Sequence, residues 1–181
     1  MILLDIFTNK PRYGSMNRVI VNIILYKKGI YMSNKAAVTL QVLKMDKDIG
    51  LTLTNNEFYE EMQTVVEADP LMGEENQFTL FPYSIVDNDE DTSAMLVLLI
   101  NRLNKPIQSV SFDVTLGNND GEYVCNKTNI DLAEAYLGVL ETDGVVPVFL
   151  QVEKNAADVF YTLDPNDMLL ESDNFQAEFV K

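Results

Sequence analysis

The sequence predicts a mainly β protein: an antiparallel, immunoglobulin-like β-sandwich with one N-terminal helix and a short helical turn. Apolar residues alternate with polar ones at period two in several separate stretches, and turn-forming residues part these stretches at short intervals. Only one substantial segment carries apolar residues at helical spacing. A chain of 181 residues with 47% hydrophobic content supports one good core, so residues 32–181 are expected to form a single domain.

The elements follow in order. Val38, Leu40 and Val42 alternate with Thr39 and Gln41, which makes 37–43 the first strand, and 51–54 reads as a short second one. Thr54 and Glu57 then have capping-box spacing, each side chain placed to satisfy a free backbone amide. Phe58, Met62, Val65 and Val66 share a helical face, so a helix is expected over 55–67, ended by Pro70. Strands resume over 78–86. The run from Asp87 to Asp91 is too charged to bury and reads as a hairpin loop. Residues 94–100 are apolar on both alternating sets, as a strand covered on both faces would be.

After the corner at Asn104-Lys105-Pro106, residues 108–116 alternate cleanly. Val110, Phe112, Val114 and Leu116 take one face, while Ser109, Ser111, Asp113 and Thr115 take the other. Asn118-Asn119-Asp120-Gly121 tolerates positive φ and should turn the chain into a strand over 122–125. Leu132, Tyr136 and Leu137 predict a helical turn with Gly138 as its C-terminal cap. A strand over 146–152 begins beside Pro147, which a sheet accepts at a strand start or edge. The last strands are expected at 159–163 and 175–180.

Residues 1–31 are set apart as a non-native or disordered N-terminal extension. Lys28-Gly29 is encoded by AAR-GGN, a purine-rich stretch resembling a ribosome-binding site a few codons before Met32, so translation is expected to begin at Met32. This segment holds five of the 13 basic residues and one of the 28 acidic ones. The remainder carries eight against 27, a formal charge of −19. Such a field argues against nucleic acid and anionic membrane surfaces, both of which need a basic face, and favours a basic protein partner. No apolar run approaches the ~20 residues of a membrane span. A lone cysteine and the lack of a secretory signal favour the cytoplasm, with association to the cell envelope as the alternative.

The chain lacks histidine, which removes serine triads, cysteine-histidine dyads and most zinc hydrolases together. Cys125 falls in a strand with Lys127 as its one basic neighbour and reads as a sheet residue, not a nucleophile. Asp87, Asp89 and Asp91 alternate as calcium ligands do. The helix-loop-helix calcium motif, however, wants glycine at its sixth position and glutamate at its twelfth, where Thr92 and Leu98 stand. Asn126-Lys127-Thr128 matches the glycosylation tripeptide, which matters only in a secreted eukaryotic setting. Paired carboxylates remain as possible catalysts, yet no Asp-Thr-Gly or Asp-Ser-Gly element occurs and tryptophan is absent. No enzyme activity, cofactor or metal is expected.

One longer stretch resembles a known family. Residues 95–107, with Asn101-Arg102 and the corner Lys105-Pro106-Ile107, are followed by the alternating run 110–116, by Asp120 to Val124, Ile130-Asp131-Leu132, Leu137 to Leu140 and Val146 to Phe149. In this order they are similar to the SLAP domain of Firmicutes, a module of S-layer assembly proteins tied to the accessory Sec route, best over residues 78–153. Where the family often has tryptophan after the proline of the last strand, this chain has Val148. The resemblance implies an adaptor role in protein export or envelope assembly, without a catalytic residue, and a protein partner such as an export component or secretion substrate. Asp87, Asp89, Glu90 and Asp91 of the acidic loop, with Arg102, are the candidate partner-binding residues. The alternative is an acidic mimic of nucleic acid that blocks a DNA-binding protein.

Overall fold

The computed structural model describes residues 35–87, 92–153, 155–164 and 167–181, so the N-terminal extension lies outside the described residues. In chain order the elements are β1 (Thr39–Leu40), α1 (Lys44–Asp48), α2 (Glu57–Ala68), β2 (Phe78–Asp87), β3 (Thr92–Asn101), β4 (Ile107–Asn118), β5 (Tyr123–Leu132), α3 (Glu134–Leu137), β6 (Gly144–Glu153), α4 (Ala156–Thr162) and β7 (Met168–Phe179). Sheet I has the order β1-β6-β3-β2 and sheet II the order β5-β4-β7. All pairings are antiparallel except β1 with β6. The mainly β sandwich with a helix near its N-terminus is thus the observed fold.

β3 explains the layering. Met95, Val97 and Leu99 face the core between the sheets, shared with Phe112, Val114 and Leu116 of β4. Leu96, Leu98 and Ile100 face the other way, onto Tyr59, Met62 and Val66 of α2 and Val38, Leu40 and Val42 beside β1. Three layers result: α2, sheet I and sheet II. A strand buried on both faces needs apolar residues at every position, which is what residues 94–100 supply.

Four local expectations are corrected. The first strand shrinks to two residues because of Pro147: Thr39 and Gln41 donate to Asp143 and Val145 carbonyls at 2.8 and 2.7 Å, and the next ladder bond would need an N–H that Pro147 lacks. Residues 51–54 form a turn, not a strand. It is closed by Asn55, whose Oδ1 accepts from Thr52 N at 2.7 Å and whose Nδ2 donates to Gly50 O at 3.0 Å. Asn56, not Thr54, caps α2, its side chain accepting from Tyr59 N at 3.2 Å. The strand expected at 159–163 is helix α4. Ala156 and Phe160 are its buried residues, followed by buried Leu163 at its C-cap, and the β-type run Val159-Phe160-Tyr161 hid that period in so short a window.

Sheet II holds its alternation only by means of bulges. Between Val114 and Leu116 of β4, β5 advances from Thr128 to Cys125, one residue more. Between Ser111 and Asp113, β7 likewise advances from Gln176 to Asp173. Lys127 and Asn174, at φ 49° and 52°, absorb the extra residues. Each insertion flips the side-chain parity, so Met168 and Leu170 before the β7 bulge and Ala177 after it all face the core.

The same irregularities blunt the open sheet edges. β2 has a register shift between Pro82 and Ser84, β5 and β7 have their bulges, and Pro147 leaves β6 without an N–H donor on the side where β1 ends.

Candidate functional site

Of the predicted partner-binding residues, Asp87 ends β2 opposite Ser93 in the β2–β3 hairpin. Asp89, Glu90 and Asp91 lie outside the described residues. Arg102 is not on the surface. Its side chain is 2% exposed and threads from the end of β3 under the chain entering β1. Nε and Nη2 each donate to Met72 O at 3.0 Å, and Nη1 donates to Ala36 O at 2.6 Å and to Asp143 Oδ1 at 2.7 Å. Those acceptors occupy the guanidinium, so Arg102 ties three segments together and is unavailable to a partner in this fold.

Asn101 beside it does the same for the next corner. Its Nδ2 donates to the carbonyls of Lys105, Leu140 and Glu141 at 3.0 to 3.1 Å, and its Oδ1 accepts from Leu103 N at 3.1 Å. Asn101 and Arg102 therefore form one buried polar node that ties the carbonyl of the exposed Lys105 and the chain around Ala36, Met72 and Leu140 to the end of β3. A strand leaving a core strands its backbone groups unless side chains satisfy them, and these two residues supply the partners.

The outward face of sheet II is the most distinctive surface. Directly paired residues point to one side of a sheet, so the registers place Ser109 beside Glu178, Ser111 beside Asp131, Asp113 between Asn129 and Asp173, and Thr115 beside Glu171. Five carboxylates, of Asp113, Asp131, Glu171, Asp173 and Glu178, thus share one face on a grid of about 5 to 7 Å. Asp113 sits at its centre. Its carboxylate accepts from Asn174 Nδ2 at 2.6 Å and from Asn129 Nδ2 at 2.9 Å. The Asn174 bond, then the Asn129 bond and the nearby Lys127, hold its pKa below the ordinary aspartate value. Thr115 Oγ1 accepts from Lys127 N at 3.1 Å. Asp113 and Thr115 thus lock the bulges on both sides of β4.

Other reactive groups are absorbed by packing. Burial pushes the Cys125 thiol up, against weaker opposing bonds from the Leu116 backbone and Thr128, so little thiolate forms near neutral pH. Tyr59 accepts from Leu43 N at 3.1 Å and donates to Asp46 at 2.6 Å, and burial together with that bond raises its pKa. Burial likewise pushes Tyr136 up to about 12. Both tyrosines line a cavity of about 30 Å³ with Asp46, Asn56 and Phe149. Space of that size admits a water or two, against the roughly 300 Å³ at which sites for organic ligands begin.

Among the described residues no group of three or more Asp, Glu or Cys side chains is arranged to hold a metal ion, and no helix is long and apolar enough to cross a membrane. The acidic face escaped the sequence reading because it depends on β7 lying beside β4. The alternation put Asp113 outside, but no local signal announces which strand pairs with it. No protein-family model, curated protein or solved structure matches the chain.

Proposed function

We propose that the chain is a SLAP-like, non-enzymatic protein-binding domain that serves protein export or S-layer and cell-envelope assembly, acting in the cytoplasm or at the envelope. The observation that carries the binding role is the carboxylate-rich outward face of sheet II, at whose centre Asp113 is bonded to Asn129 and Asn174 of the flanking strands. Anionic groups fixed on a rigid sheet steer and orient a basic partner without the entropy loss of ordering a mobile loop. The assignment to export rests on the resemblance to the SLAP domain, whose separate stretches fall on β3, β4, β5, α3 and β6.

A second reading draws on the same face. Carboxylates spread over one side of a sheet also suit a nucleic-acid mimic that occupies the basic groove of a DNA-binding protein. Affinity capture from host lysate, with identification of the retained proteins, separates the two. Translocase or envelope components retained by wild type and lost from the Glu171→Lys/Asp173→Lys/Glu178→Lys variant support the first reading. A nuclease or repressor as the main partner replaces it with the second.

A further inference from the structure

The chain contains two Asp-Gly dipeptides, and the fold treats them in opposite ways. Asp143-Gly144 is held by its carboxylate and its backbone. The Asp143 carboxylate is held by Arg102 at 2.7 Å, its N–H donates to Asn101 O at 2.7 Å and its carbonyl accepts from Thr39 N at 2.8 Å. Gly144 is buried, and its N–H donates to Glu141 O at 2.9 Å. Asp120-Gly121 lies in the turn between β4 and β5 with both residues exposed. The Asp120 carboxylate makes no hydrogen bond or ion pair with any described residue. Gly121, at φ +87°, has nothing within 4 Å of where a Cβ would stand, and its N–H makes only a long 3.3 Å bond to Asn118 O.

We propose that Asp120-Gly121 is a site of spontaneous isoaspartate formation, and that the fold shields Asp143-Gly144 from the same chemistry. The backbone nitrogen of Gly121 attacks Cγ of Asp120, forming an N–Cγ bond while the carboxyl oxygen departs as water with the amide proton. The resulting cyclic imide takes up water at either carbonyl. Opening at the α-carbonyl routes the backbone through Cβ and leaves isoaspartate, with no oxidant or reductant involved. Glycine favours the attack because no Cβ obstructs it and its backbone visits the needed geometry freely. At position 143 the reaction must wait for the carboxylate to leave Arg102 and for the buried Gly144 N–H to leave Glu141 O. The product lengthens the main chain by one methylene at a turn whose closing bonds, Asn118 N to Glu122 O and Glu122 N to Asn118 Oδ1, are both 3.0 Å.

The test incubates the folded full chain in warm neutral buffer for weeks, with a parallel sample in concentrated urea, then maps isoaspartate by electron-transfer fragmentation of tryptic peptides. The expected result is several-fold more isoaspartate at 120 than at 143 in the folded sample, and comparable amounts in urea. Asp120→Glu, a change at an exposed turn position, should abolish the signal there. Equal amounts at the two positions in the folded chain, or a preference for 120 that persists in urea, overturns the proposal.

Discussion

Removing the Arg102 guanidinium should destabilise the fold more than any surface substitution. Arg102→Met keeps the apolar stem and deletes the donors, leaving the carbonyls of Ala36 and Met72 and the Asp143 carboxylate without their charged partner. Hydrogen bonds to a charged group contribute roughly 1.5 to 3 kcal/mol each, and breaking a buried ion pair by removing one partner costs about 3 to 5 kcal/mol. Asp143 keeps 31% side-chain exposure, so water recovers part of its share, and the expected loss is about 3 kcal/mol. With a urea m-value of about 2 kcal/mol/M, the unfolding midpoint should fall by roughly 1.5 M at unchanged slope. Asp143→Asn, which keeps an acceptor for Nη1, should cost about half as much or less. A midpoint shift below about 0.3 M for Arg102→Met refutes the assignment of this side chain to the interior node.

Other outcomes follow from the same geometry. Phe160→Ala, at a residue with 0% exposure in α4, should cost about 3 to 5 kcal/mol in urea unfolding. Asn174→Gly keeps the left-handed conformation and loses only the exposed bond to Asp113, so it should destabilise less than Asn174→Val, which loses the same bond and also forces a β-branched residue to positive φ at a cost of about 1 to 3 kcal/mol. The folded-state pKa of Asp113 is depressed, so its contribution is present above the ordinary aspartate value and lost as pH falls through the lowered one. The stability difference between wild type and Asp113→Asn should therefore shrink between those two pH values, as urea unfolding across the acid range will read. Cys125 in the folded chain should react with a thiol reagent far more slowly than in urea, since burial both covers it and raises its pKa.

The sequence made some of this legible and concealed the rest for identifiable reasons. β3 was readable because a strand buried on both faces leaves an unbroken apolar run, and β4 because its outward residues are polar without exception from Ser109 to Thr115. The same alternation could not tell that Asp113 and Thr115 lock bulges, since Lys127 and Asn174 reach them only after β5 and β7 have paired on either side. Arg102, expected among the partner-binding residues, is instead held in the interior. The carbonyls that bury it belong to Ala36 and Met72, distant in sequence. α4 was hidden by its brevity. Pro147 was expected at a strand start or edge, yet β6 begins at Gly144 and runs between β1 and β3, and the proline's effect, cutting β1 to two residues, needed the parallel register to be seen.

The central claim is that the rigid acidic face of sheet II grips a basic surface on another protein. Calorimetric titration of the captured partner into wild type and the Glu171→Lys/Asp173→Lys/Glu178→Lys variant, at low and high salt, tests it most directly. The account predicts binding that weakens as salt rises and is largely lost in the variant while its unfolding midpoint stays close to wild type. Equal affinity for both chains, insensitive to salt, would contradict it.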